Sequence, residues 1–117
     1  MATEKVYIGT KEVAVLTSAA RTASGYSDAF LTNGYSTLNA ALKVTADTAL
    51  TSLDVSVKSY DPTLAEWITI GSFTQVTTTP STAENLNITA SLRGKCRIDY
   101  ALIGTSATFA VGIVLRQ

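Results

Sequence analysis

Strict alternation between apolar and polar side chains is the feature that most restricts how this chain can fold. Apolar residues occupy every even position from Leu38 to Ala46, and Leu53, Val55 and Val57 alternate with polar neighbours. Since successive side chains of a β-strand point to opposite faces, this period of two predicts strands with one buried face. These two strands form the structural centre of the predicted fold.

A helix is the competing interpretation of residues 35–46. Leu38, Ala41 and Thr45 also fit one stripe of a helix, and Ala and Leu favour helix formation. The β-branched residues Val44 and Thr45, together with the stricter period of two, favour a strand instead. We therefore predict a strand over this segment.

The rest of the chain repeats this pattern in short segments joined by polar turns. Asn33-Gly34 is a turn signal, residues 47–52 and 104–106 are predicted connections, and Gly71 within an apolar run predicts a bulge. No strong helix is predicted, so the fold class is all-β, a single antiparallel β-sandwich or jelly-roll-like domain of about eight strands. The predicted strands are residues 12–16, 26–31, 35–46, 53–60, 66–76, 85–92, 96–103 and 107–115.

The chain has the length of one domain. Its 117 residues are enough to bury one core without a metal or a disulfide. Residues 11–117 are predicted to form the sandwich, and residues 1–10 are either an N-terminal arm or an edge strand. The apolar part of that segment is Val6, Tyr7 and Ile8. Both alternatives stay open, because a terminal segment is ordered only where something ties it down.

The charge of the chain argues against several classes of partner. Nine basic and nine acidic residues cancel, so we expect no nucleic-acid partner and no membrane partner. Charged residues make up only 15% of the chain, below the roughly one quarter typical of soluble domains. Few charges therefore oppose self-association. Arg93, Lys95 and Arg97 stand at alternate positions and are interpreted as a solvated edge that discourages strand pairing.

Side chains that support catalysis or metal binding are scarce. The chain has one cysteine, Cys96, and no histidine, so we predict no metal site, no cofactor and no catalytic residue. Cys96 is expected to be buried beside Ile98. Asp47, Asp61 and Glu66 could meet at one rim of a sandwich and hold calcium, but no dense Asp-rich loop accompanies them. We therefore predict that the protein is not an enzyme.

Two aromatic residues raise the possibility of carbohydrate binding. Exposed aromatic side chains on a β-sandwich can stack on sugars, and Tyr60 and Trp67 are candidates for such a role. The alternative is that Trp67 packs between the two sheets, because aromatic side chains are the largest contributors to protein cores. We favour the packing role for Trp67 and keep a carbohydrate-binding module as an alternative function.

Several short blocks follow one another over most of the chain from residue 12 onward. They are residues 20–25, residues 34–35 with the strand to residue 46, residues 53–57 followed by Trp67, residues 73–75 and residues 103–109. In their joint order these blocks resemble a family of small β-sandwich structural proteins of tailed bacteriophages. The chain departs from that pattern at residues 61–65, where the family has a more glycine-rich link, and at Ala107, where the family often has proline.

The resemblance implies a virion structural protein. The most specific expectation is a capsid decoration (cement) protein, located in the virion and assembled in the host cytoplasm. Its expected partners are copies of itself, with a trimer favoured, and the major capsid protein or other virion proteins. A tail or head-to-tail connector component is the alternative within the virion. Val6, Tyr7 and Ile8 are the candidate partner-binding residues, acting as an arm that bridges subunits by strand addition.

Overall fold

The protein is an all-β, antiparallel structure, as the alternation predicted. The computed structural model describes residues 9–77, 82–89 and 92–117. In this part of the chain no helix is long and apolar enough to cross a membrane. The strands are β1 (Thr10–Arg21), β2 (Gly25–Tyr26), β3 (Phe30–Leu31), β4 (Thr37–Asp61), β5 (Glu66–Ser72), β6 (Thr82–Ile88) and β7 (Lys95–Arg116).

Two long strands, β4 and β7, run side by side through the whole domain. Residues 47–52 and 104–106, which were predicted as connections, are instead parts of these strands. The ladder continues across both segments, with Thr48 opposite Ser106, Leu50 opposite Gly104 and Ser52 opposite Ile103. The predicted eight strands therefore become seven, because two pairs merge and the predicted strand 26–31 divides into β2 and β3.

Each long strand bends in its middle and shifts its buried face by one residue. In β4, even positions such as Leu42 are buried before the bend, and odd positions such as Val55 are buried after it. In β7, the buried positions change from even, as at Ile98, to odd, as at Val111. A register shift between Leu50 and Ser52 accompanies the change. Because the shift occurs in both strands, both halves of the ladder keep their apolar face toward one core.

The bends divide the structure into two packed layers. Layer A contains β1, β6, residues 37–48 of β4 and residues 106–116 of β7, and layer B contains β2, β3, β5, residues 52–61 and residues 95–103. The rings of Tyr100 in layer B and Phe109 in layer A meet edge to face, with centroids 5.3 Å apart. These contacts make the fold a β-sandwich of the jelly-roll type, as predicted.

Gly71 in β5 lies at the bulge that the sequence predicted. Val57 pairs with Gly71 and the next residue, Lys58, pairs with Thr69, so Ile70 is the extra residue of the bulge. A Cβ at position 71 would lie 2.8 Å from the Cδ1 atom of Ile88 in the opposite layer. The glycine therefore serves both the bulge and the close approach of the two layers.

Candidate partner-binding face

The outer face of layer B carries three aromatic side chains: Tyr26, which is exposed, and Tyr60 and Trp67, which are half-buried. Tyr60 pairs with Trp67 across β4 and β5, and their ring centroids lie 5.2 Å apart. Both side chains point outward, since their neighbours Ser59 and Asp61 are the buried positions of β4. The prediction that Trp67 packs between the sheets is therefore wrong. The alternation of β4 determines this outcome, because a cross-strand partner lies on the same face.

Two cations cover the rings on this face. The guanidinium carbon of Arg97 lies 3.9 Å from the ring centroid of Tyr26 and 4.5 Å from that of Trp67. The Lys95 ammonium lies 4.6 Å from the ring centroid of Tyr60. Such cation–π contacts each stabilise by about 0.5–1 kcal/mol at exposed sites. The three aromatic rings and two cations thus form one continuous stack.

The prediction of a solvated edge at Arg93, Lys95 and Arg97 is also wrong. β7 is an interior strand, with β4 on one side and β1, β2 and β3 on the other. Arg93 precedes β7 and forms an ion pair with Asp61, at 3.3 Å between its Nη1 atom and the carboxylate. Alternation was correct about the shared face of Lys95 and Arg97, but their spacing carries no information about which strands lie beside them.

Asp99 is the acidic member of this outer face. Its carboxylate accepts a hydrogen bond from Nε of Arg97 at 2.8 Å and lies 3.4 Å from the Lys58 ammonium. We call the set the cationic aromatic face, and it consists of Tyr26, Leu31, Lys58, Tyr60, Trp67, Lys95, Arg97 and Asp99. Beside Tyr26 the face descends into an open groove of about 440 Å³, lined in part by Ser24, Ser56, Lys58 and Asp99.

Tyr26 and Leu31 were not recognised in the sequence as surface residues. Read as one strand, residues 26–31 would place Tyr26 on the same face as Phe30. In the structure Tyr26 pairs with Asp99 and is exposed, whereas Phe30 pairs with Cys96 and is buried. The break between β2 and β3 separates the two faces. Asp28, a residue that favours turns, was the available signal.

Cys96 is buried, as predicted, and lies beside a small polar cluster. The hydroxyls of Thr32 and Ser59 both donate to the backbone carbonyl of Leu92, at 2.9 and 2.8 Å. Burial raises the pKa of the Cys96 thiol, which keeps the sulfur protonated and unreactive. The cluster anchors the segment before β7 to layer B and therefore has a structural role.

The three acidic residues considered for calcium do not come together. Asp47 pairs with Ala107 in layer A, whereas Asp61 and Glu66 pair with each other in layer B. The Asp61 carboxylate accepts hydrogen bonds from the hydroxyl and the amide of Thr63, at 2.6 and 2.9 Å. Among the described residues, no group of three Asp, Glu, Cys or His side chains could hold a metal ion.

Asp61 gives the fold a predicted acid sensitivity. The hydrogen bond from the Thr63 hydroxyl lowers the pKa of Asp61 most, burial opposes it, and the Thr63 and Leu64 amides and Arg93 lower it further. A carboxyl group with a lowered pKa in the folded state stabilises the fold above its ordinary pKa, and this contribution is lost as the pH falls toward the folded value. We expect the urea concentration at the unfolding midpoint of the wild type to decrease once the pH is lowered below about 4.

Two variants test this origin of acid sensitivity. Asp61→Asn should be less stable than the wild type at pH 6 and should lose less stability on acidification. Thr63→Ala should also make stability depend less on pH, though to a smaller extent, because it removes the shortest hydrogen bond to the carboxylate. Parallel pH profiles for the wild type and Asp61→Asn would exclude Asp61 as the cause.

The predicted partner-binding residues Val6, Tyr7 and Ile8 lie outside the described residues. The structure begins at Gly9, whose carbonyl accepts a hydrogen bond from the Gln117 amide at 2.9 Å. β1 follows directly, with Thr10 opposite Arg116 at the edge of layer A. Whether residues 1–10 act as an arm or as an edge strand remains a prediction.

Comparison with solved structures places the fold among β-sandwiches of varied origin. The SPBc2 prophage-derived protein YomS matches with a TM-score of 0.55 and 14% identity, over 91% of this chain and 94% of that one. The VP2 subviral particle of infectious bursal disease virus matches with a TM-score of 0.60 and 8% identity, over 91% of this chain and 31% of that one. These likenesses confirm the fold.

A third match is a carbohydrate-active protein. The CBM22-1–GH10 modules of Clostridium thermocellum endo-1,4-beta-D-xylanase 10B, complexed with xylohexaose, match with a TM-score of 0.53 and 11% identity. The alignment covers 93% of this chain and 26% of that one. No protein-family model matches the sequence, and no curated protein matches it.

Proposed function

We propose that this protein is a virion structural protein, and specifically a capsid decoration protein that binds the outer shell as an oligomer. The observation that carries the proposal is the outer face of layer A, which suits packing against identical neighbours. Ala14, Gly112, Ala41 and Asn85 form one row across its four strands. Small uncharged side chains along this row allow another chain to approach closely at little cost in desolvation.

The fold matches support the same proposal at a coarser level. The likeness to the prophage-derived protein extends over nearly the whole of both chains. The likeness to the viral VP2 protein involves a part of that longer chain. Both agree with the resemblance of the sequence to structural proteins of tailed phages. A tail or head-to-tail connector component is the alternative within the virion.

The mass of the purified protein in solution tests this proposal. A decoration protein at threefold sites of a shell should sediment as a trimer and co-purify with particles, whereas a hexamer or larger ring would favour the tail. Closed symmetry is the common form of homo-oligomers. A monomer that leaves particles entirely on washing would contradict both virion roles.

Deleting residues 1–9 is expected to leave a folded domain that associates more weakly. The described strands begin at Thr10, so the core of both layers stays intact. If Val6, Tyr7 and Ile8 bridge subunits by strand addition, the deletion removes that contact. Sedimentation velocity and particle occupancy measure the effect. Unchanged occupancy of the particle after the deletion would refute the arm.

A carbohydrate-binding module is the second candidate, and one observation favours it. Tyr60 and Trp67 lie on the outer side of layer B rather than in the core, and the groove beside Tyr26 lies on the same face. Outward aromatic rings can stack on sugar rings, although Arg97 and Lys95 cover the rings here. A module of this class would be monomeric and would lose retention on immobilised glycans after Trp67→Ala.

A further inference from the structure

Large exposed hydrophobic side chains are confined to one side of the described structure. Tyr26, Leu31 and Ile103 stand at outward positions of layer B, and Leu64 lies in the turn between β4 and β5 of the same layer. Each is at least 60% exposed. The outer face of layer A, in contrast, has one row of small residues flanked by the exposed charges of Glu12 and Lys43. The two faces therefore differ in what they can bind.

Cations outnumber carboxylates within the cationic aromatic face. Lys58, Lys95 and Arg97 stand against the single carboxylate of Asp99 in the cationic aromatic face, which leaves two positive charges uncompensated within it. Layer B has further exposed carboxylates outside this set: Asp28 before β3, Glu66 at the start of β5, and Asp54, which accepts hydrogen bonds from the Gln75 amide at 3.0 Å. The face thus favours a negatively charged surface.

The charged groups of this face are held in place before any partner arrives. The Arg97 guanidinium is bound by Asp99 and lies between the rings of Tyr26 and Trp67. A side chain that is already ordered loses little conformational entropy on binding, so its contacts contribute more to affinity. Tyrosine, tryptophan and arginine are also the residues most enriched at the energetic centres of protein interfaces.

We propose that the cationic aromatic face is a docking surface for a protein partner that presents carboxylate side chains next to apolar ones. A face of aromatic rings overlaid by cations matches a surface that presents carboxylates among apolar side chains. Sugar stacking is disfavoured, because cations already cover the ring faces of Trp67 and Tyr60. The inference concerns the chemistry of the partner and holds for a virion protein or for any other assembly.

Trp67 provides a direct signal for occupancy of this face, since it is the one tryptophan of the chain. The probes are poly-L-glutamate and a copolymer of glutamate and tyrosine, titrated into the full chain with excitation of tryptophan alone. We expect a saturable change in Trp67 emission that weakens with salt, and tighter binding of the copolymer than of poly-L-glutamate.

Matched variants distinguish binding at this face from general electrostatic attraction between the polymers and the protein. Lys95→Ala and Arg97→Ala should each weaken binding roughly fivefold, as expected for the loss of about 1 kcal/mol. Lys43→Ala is the control, because Lys43 is an exposed cation on the outer face of layer A. The proposal is overturned if Lys43→Ala weakens binding equally or if the polymers do not bind at low salt. It is also overturned if a single-stranded oligonucleotide or xylohexaose binds more tightly than the polymers.

Discussion

Replacing Gly104 with alanine is expected to destabilise the fold by about 3 kcal/mol or more. Gly104 lies at the bend of β7 with φ of 134°, a conformation that side-chain-bearing residues rarely adopt. A Cβ there would lie 2.5 Å from the carbonyl oxygen of Ala49 and 2.8 Å from the Cα of Leu50. Both are backbone atoms of the neighbouring β4 bend, so relief would require the two long strands to move apart.

Urea denaturation of the variant measures this effect, and two other glycines serve as controls. Gly112→Ala should change stability by less than about 0.5 kcal/mol, because a Cβ at that position meets nothing within 4 Å. A Cβ at position 34 also meets nothing within 4 Å, but Gly34 has a φ of 86°. Gly34→Ala should therefore lower the free energy of unfolding by about 1 kcal/mol through backbone strain alone. A Gly104→Ala variant no less stable than Gly112→Ala would show that the bend tolerates a side chain.

Arg21→Ala is expected to cost about 2 kcal/mol through lost hydrogen bonds and ring contacts. The Arg21 guanidinium donates to the carbonyl of Phe109 at 2.6 Å and to that of Thr17 at 2.9 Å. Its carbon lies 4.6 Å from the Phe109 ring centroid and 5.8 Å from that of Tyr100. The side chain therefore joins the end of β1 to the place where the two layers meet.

The charge of Arg21 can be separated from its geometry by a second variant. Arg21→Lys keeps the cation but lacks the planar fork that reaches several carbonyls at once, so it should recover less than half of the lost stability. Arg116→Ala, which removes an exposed arginine at the end of β7, should be nearly neutral. If Arg116→Ala destabilises as much as Arg21→Ala, the effect follows from net charge and the proposed contacts are wrong.

The strands of the core could be predicted because their pattern is local. Alternation identified which side chains face inward over residues 38–44 and 53–57, and Leu42, Val44 and Val55 are buried accordingly. It was wrong at Ala46, which is exposed beyond the register shift that follows Val44. The bends were missed for an equally local reason. Residues 47–52 have the composition of a loop, but the partner strand β7 supplies the hydrogen bonds that keep them in the ladder.

The candidate face could be predicted only in part. The sequence placed Lys95 and Arg97 on one face of a strand and identified Trp67 and Tyr60 as a pair of interest. It did not show that Tyr26, about seventy residues earlier in the chain, would stack on Arg97. Contacts of this kind depend on which strands become neighbours, and a period of two carries no such information.

Within the clearly alternating segments, strand formation and the identity of the inward-facing residues follow from the amino-acid order, because successive side chains of one strand point to opposite faces. Strand neighbours, the two bends and the outer faces follow only from the folded chain. β7 became an interior strand because its two halves each found partners on both sides. That pairing brought Arg97 between Tyr26 and Trp67 and so assembled a surface that no single segment contains.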